Sequence, residues 1–186
     1  MLFSILCLSL HSETRRRTSK NNNMKTQRFI SDYTVYDDEK ELAAYASTDA
    51  ELLRKAHEAT KNSYAPYSKF HVGAAVRLAN GVIVTGNNIE NAAYPSGLCA
   101  ERVALFAAQA QYPDVPVEAL AITACSEITE VTEPVAPCGA CRQVMVETEQ
   151  RSGIPMRVIC QGHTGPVFVF DGIETLMPFI FLTKFL

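Results

Sequence analysis

The chain has 186 residues, 47% of them hydrophobic and 20% charged, with a formal charge of −3. That length favours one domain with a real core, and nine glycines and nine prolines exclude a collagen-like or low-complexity chain. The acidic balance argues against a broad phosphate-binding surface, and so against a small basic nucleic-acid module.

Residues 1–10 are an apolar run, followed by Arg15, Arg16, Arg17 and Lys20. A signal peptide carries its positive charge before the apolar run, and a membrane span needs about 20 apolar residues. Residues 1–23 are therefore read as an upstream extension, with Met24 as the natural start. Four of the 17 basic residues and one of the 20 acidic ones lie there. The remaining 13 and 19 leave −6. Residues 24–48 form an N-terminal segment with a short helix expected around 39–46, and residues 49–186 form the main domain.

Thr48-Asp49-Ala50-Glu51 has the form of a capping box. Leu52, Leu53, Ala56 and Ala59 follow at helical spacing, which predicts a helix over 49–62. Residues 63–69 read as a loop. Two apolar runs, 70–78 and 82–85, flank Asn80-Gly81, a strong hairpin signal. After a second loop over 86–95, residues 98–110 read as a buried helix and 118–125 as a central strand. Residues 139–152 read as a helix that Gly153 stops, and 156–160 and 166–170 as two more strands. Residues 176–186 are apolar but too short for a bilayer; they are read as a buried end or a subunit contact. The order predicts an α/β fold of three layers, α/β/α. A mixed five-stranded sheet lies between helices on both faces, with parallel pairing in its core and the hairpin as an antiparallel edge.

The six cysteines divide by position. Cys125 and Cys160 end strands and read as core packing. Cys99 and the pair Cys138 and Cys141 stand at helix starts. Pro137 suits an initial helical turn, and positions three apart on a helix face the same way, so Cys138 and Cys141 can grip one ion. A lone C-x-x-C also fits a redox pair or half of a structural zinc site. Helix N-termini favour thiolates, and three thiolates around Zn²⁺ leave a fourth corner for water. Glu101, two residues after Cys99, can exchange a proton with that water. Zn²⁺ with three thiolates sums to −1, so Arg102 and Arg142, each directly after an expected ligand or its neighbour, are expected to donate hydrogen bonds to sulfur.

Cys99-Ala100-Glu101, 35 residues, then Pro137-Cys138-Gly139-Ala140-Cys141 resembles the signature of the zinc-dependent cytidine deaminases. A Cys as first ligand is as in the short, homotetrameric nucleoside deaminases. Residues 70–75, Phe-His-Val-Gly-Ala-Ala, and 88–95, Asn-Ile-Glu-Asn-Ala-Ala-Tyr-Pro, look like the family's nucleoside-binding segments. The resemblance covers about residues 49–182. It implies the cytidine deaminase-like fold, one zinc per subunit on Cys99, Cys138 and Cys141, and Glu101 as proton shuttle. It further implies Asn88 and Glu90 on the sugar 3′-hydroxyl, Phe70 against the base, and the Ala100 backbone on the pyrimidine ring. Tyr94 would reach a neighbouring subunit's site, and Phe181, three residues after Pro178, would close the site across an interface. Two departures are His71, where Pro is common in the family, and the apolar tail.

The implied reaction is hydrolytic deamination of cytidine and 2′-deoxycytidine to uridine and 2′-deoxyuridine with release of ammonia. The implied setting is a cytoplasmic homotetramer in pyrimidine salvage, with no nucleic-acid or membrane partner. The rivals are a deaminase of another cytosine-containing nucleoside, such as a nucleoside antibiotic, and a catalytically idle zinc-bound nucleoside-binding protein.

Overall fold

A computed structural model describes residues 26–186; the extension expected at 1–23 lies outside them. Ten principal elements follow one another: β1 (Thr34–Tyr36), α1 (Glu39–Tyr45), α2 (Ser47–Ala59), β2 (Phe70–Leu78), β3 (Ile83–Asn87), α3 (Ala100–Gln111), β4 (Val117–Ser126), α4 (Gly139–Ser152), β5 (Arg157–Gln161) and β6 (Val167–Phe170). The sheet order is β1-β6-β5-β4-β2-β3.

Side chains alternate across the strands and so serve two different layers. Ala74, Val76, Leu120, Ile122 and Val158 face Ala104, Leu105 and Met145 of α3 and α4. Ala75, Ala119, Ala121 and Ile159 face Leu42, Leu52, Leu53 and Ala56 of α1 and α2. The second face is the flatter one, because three of its residues are alanines. Gly73 extends the close approach, since a Cβ there would stand 2.0 Å from the Ala56 carbonyl oxygen. On the other face a Cβ at Gly86 would stand 2.5 Å from the Ala104 nitrogen, so α3 lies directly on β3.

The three-layer expectation stands, but the sheet has six strands rather than five. The extra strand is β1, which pairs antiparallel with β6 through Thr34–Val169 and Tyr36–Val167. Three residues are too few to show alternation, which is why pattern does not reveal it. Only β4 and β5 pair in parallel. The hairpin forms an antiparallel edge as expected, with β3 outermost and β2 bonded antiparallel to both β3 and β4.

The capping box is not used either. Ala46 closes α1 and opens α2, its carbonyl accepting from the Asp49 and Ala50 N–H groups, and no side chain caps α2. Thr48 is thus inside the helix. Asp49 is buried and pairs with Arg77 at 3.1 Å and Arg157 at 2.7 Å, tying α2 to β2 and β5. α2 ends at Ala59 and tightens into a 3-10 turn at Thr60–Asn62. β3 runs two residues beyond expectation because Gly86 and Asn87 pair with Ala74 and Gly73. α4 has its expected bounds, and Gly153 takes the left-handed conformation that ends it. The C-terminal stretch is largely exposed rather than buried, Phe179 at 99%. Among the described residues, no helix is long and apolar enough to cross a membrane.

Candidate metal centre and its pocket

Cys99 is the N-cap of α3 and Cys138 the N-cap of α4, both in extended backbone, and neither sulfur caps its own helix. Cys141 follows in the first turn of α4 and is buried. The layer formed by α3 and α4 therefore brings two helix N-termini, with their unpaired N–H groups and positive dipole ends, to one point. The Cys99 and Cys138 Sγ atoms are 3.8 Å apart and the Cys138 and Cys141 Sγ atoms 3.4 Å apart. All three lie within 4.8 Å of one another. A tetrahedral zinc with Zn–S bonds of about 2.3 Å needs sulfurs about 3.8 Å apart, so this donor set fits zinc.

Arg102 donates from Nη2 to the Cys99 sulfur at 3.7 Å. Its buried Nε–H has no partner among the described residues. In the metal-free protein a hydrogen bond from the Cys141 thiol, aided by Arg102, draws the Cys99 thiol down to about 5. The same bond holds the proton on Cys141, whose affinity for it is raised. Arg142 does something different from what was expected of it. Its guanidinium donates to the Pro137 carbonyl at 2.8 Å and the Leu176 carbonyl at 2.5 Å, joining the loop before Cys138 to the chain's last segment.

Glu101 is only 4% exposed on the first turn of α3. Burial, and to a smaller degree the Cys99 charge, pushes its carboxyl above the usual range. A carboxyl so placed exchanges protons nearer neutral pH than an exposed one does. Ala100 is fully buried just before it, at the helical position whose N–H has no intrahelical partner.

A cavity of about 860 Å³ opens beside Cys99, Cys138, Glu101 and Arg102. Phe70, Asn88, Glu90 and Tyr94 line it too, so the structure gathers both halves of the expected site. Asn88 continues the β3 path. Its Oδ1 accepts from the Val72 N–H at 2.8 Å and the Ser63 hydroxyl at 2.5 Å, and its Nδ2 donates to the Phe70 carbonyl at 2.9 Å. Both oxygen lone pairs and one N–H are then used, which leaves one N–H. Glu90 accepts at Oε2 from the Tyr67 and Ser68 N–H groups, at 2.8 and 3.3 Å. Those bonds, led by the Ser68 side chain, hold its carboxyl below the usual range. Oε1 is left as an acceptor. One donor and one acceptor suit a hydroxyl group, which is both.

Phe181 is not part of the cavity wall within this chain. It stacks on Phe185, and its carbonyl accepts from Gln143 of α4 at 3.1 Å. The sequence reading gave no role to Tyr67, Ile122 and Ala136 and held Val72 only within the 70–75 segment, yet all four are in the wall. Val72 and Ile122 alternate with residues assigned to the core, so period alone counts them as core. Cys160 is buried as expected, its thiol pushed up to about 12 by burial, while Cys125 is partly exposed. The five described cysteines are unpaired.

Residues 46–156 match the family described as the cytidine and deoxycytidylate deaminase zinc-binding region. The cytidine deaminase of Halalkalibacterium halodurans is 45% identical over 96 residues, 52% of this chain and 68% of that one. The crystal structure of cytidine deaminase from Burkholderia pseudomallei superposes with a TM-score of 0.61 at 38% identity, over 70% of this chain and 97% of that one. The cytidine deaminase structure from Mycobacterium tuberculosis gives 0.54 at 28% identity, over 71% and 95%. β1 and α1 precede the matched region. With its three thiols at zinc spacing and a buried carboxyl beside them, the chain belongs to the cytidine and deoxycytidylate deaminase zinc-binding family.

Proposed function

We propose that this protein hydrolytically deaminates cytidine and 2′-deoxycytidine to uridine and 2′-deoxyuridine, releasing ammonia. The observation that carries the reading is one cavity beside a zinc-type thiol triad, lined by Cys99, Cys138, the buried Glu101 and the Asn88–Glu90 pair. Cys99, Cys138 and Cys141 would hold the zinc, which when bound makes hydroxide available near neutral pH. Glu101 takes the proton of the attacking water and passes it to ring N3, raising the electrophilicity of C4. The water oxygen bonds to C4, Glu101 takes its second proton and delivers it to N4, and the C4–N4 bond breaks to release ammonia. Arg102 offsets the excess negative charge on the sulfurs. Phe70 packs against the base. The remaining Asn88 N–H donates to the sugar 3′-hydroxyl and Glu90 accepts its proton. The Ala100 N–H meets the pyrimidine ring.

The finer reading places the protein in pyrimidine salvage, in the cytoplasm, as a homotetramer. Unpaired cysteines fit a reducing compartment. Tyr94 is 78% exposed at the cavity and Phe181 is exposed on the tail, which supports sites completed by neighbouring subunits. Arg142 serves by holding that tail to the zinc loop. The acidic chain supports a free nucleoside over a polynucleotide. The test is ultraviolet absorbance of cytidine, deoxycytidine and CMP with the enzyme. Conversion of the first two alone supports the nucleoside reading, and conversion of none sinks it in favour of an idle binding protein.

A further inference from the structure

On the far side of Asn88 from the cavity runs a chain of polar side chains that the chemistry above does not use. The Ser63 hydroxyl bonds Asn88 Oδ1 at 2.5 Å, His71 Nδ1 lies 3.1 Å from Ser63 Oγ, and His71 Nε2 lies 2.9 Å from Glu127 Oε1. Ser63 follows the 3-10 turn after α2, His71 is on β2, and Glu127 follows β4. Three separate elements thus meet in one line that ends on a residue assigned to the sugar.

The donors and acceptors in this line admit one arrangement. Asn88 Oδ1 faces the Val72 N–H, which can only donate, and Asn88 Nδ2 faces the Phe70 carbonyl, which can only accept. The amide orientation is therefore fixed. Oδ1 can only accept, so the single Ser63 proton goes to it, and Ser63 Oγ must accept from His71 Nδ1–H. The other ring nitrogen faces a carboxylate, so it too must donate. The complete line thus needs both His71 ring nitrogens to donate, one to Ser63 and one to Glu127. The His71 side chain is 20% exposed and that of Glu127 59%, so the ring is shielded while its counter-charge stays solvated. The adjoining cavity is lined by Arg54, His57, Glu58, Lys61, Cys125 and His163. None of these makes a hydrogen bond to His71 among the described residues. Glu58 is engaged by Arg54 and Lys55.

We propose that Ser63 and His71 are positioning residues for the nucleoside, fixing the Asn88 amide so that its one remaining N–H is presented to the sugar, with Glu127 anchoring the far end. This rests on the nucleoside reading above. Removing either ring donor breaks the line at Ser63 or at Glu127. Sugar binding, not the proton transfers at Glu101, then weakens.

The test is KM and kcat for cytidine in the full-length zinc enzyme, with Ser63→Ala, His71→Leu and His71→Gln. Ser63→Ala and His71→Leu should raise KM about five- to tenfold at about pH 6, with kcat falling less than about twofold. His71→Gln, which keeps an N–H donor, should recover part of that loss. A merely structural role would lower the melting temperature and leave KM alone. That result overturns the proposal, as does a KM within about twofold of wild type in both Ser63→Ala and His71→Leu. ¹⁵N NMR of the His71 ring reads the line without turnover. Protons on both nitrogens in the folded protein at about pH 6, with a shift in Ser63→Ala, support it. A neutral ring there overturns it, even if cytidine proves not to be the substrate.

Discussion

The two ends of the cavity are built on different plans. At the metal end the side chains stand on two helix N-termini, held by a packed layer of α3 and α4 against the sheet. At the hydroxyl end Asn88 and Glu90 stand on a segment just past β3, and their orientation comes from hydrogen bonds to the backbone of residues 67–72. The first plan fixes positions through burial, the second through polar atoms. The groups proposed for the reaction are thus placed by rigid elements, and those proposed for recognition by a network that single substitutions can loosen.

Four experiments press on that contrast. The largest effect belongs to Glu101→Gln, which should keep zinc and lose about 10²–10⁴ in kcat. Metal analysis with steady-state turnover checks it, and near wild-type activity would remove Glu101 from the proton path. Next is Gly86→Ala, whose methyl would press on Ala104 and the Ala100 carbonyl, 2.7 Å away. It should destabilise by about 1–3 kcal/mol, read by denaturant unfolding, and lower kcat because α3 carries Cys99 and Glu101. Third, Asn88→Ala should raise KM for cytidine about tenfold, or ~1.4 kcal/mol, with a smaller change in kcat. An equal loss in kcat alone would mean that the two ends are not separable. The mildest measurement is alkylation after chelation. With its thiol drawn down to about 5, Cys99 should react with iodoacetamide already at about pH 6. Cys160, pushed up to about 12 by burial, should stay unmodified at about pH 8. Mass spectrometry distinguishes them.

The same contrast explains what the sequence made readable. Helix starts that carry cysteines three apart, and a Glu two after a third cysteine, are local patterns, and spacing along a helix converts directly into geometry. The zinc site was legible for that reason, as were α4 and the Asn80-Gly81 hairpin. The insertion of β2 between β3 and β4 was not, because pairing partners distant in sequence leave no periodicity. The capping box failed for a related reason. Ala46 joins α1 to α2 so closely that the helix start is set two residues earlier, and Asp49 serves two arginines instead. Arg142 was expected at sulfur because of adjacency, but a helix turns each residue by about 100°, and its guanidinium reaches the Pro137 and Leu176 carbonyls. The Ser63–His71–Glu127 line spans 64 residues of sequence and is visible only in space.

β1 has a consequence for how the molecule behaves among its own copies. Without it, β6 would present Val-Phe-Val-Phe, residues 167–170, as a row of unpaired backbone groups beside apolar side chains. Such an edge recruits strands from other chains. Thr34–Tyr36 occupies that row and replaces it with an edge only three residues long, too short to template another strand. Tyr33 covers the Phe168 and Phe170 rings, with centroids 4.9 and 5.3 Å away. A segment ahead of the matched region thereby shields that edge of the sheet from the strands of other chains, while β3 forms the opposite edge.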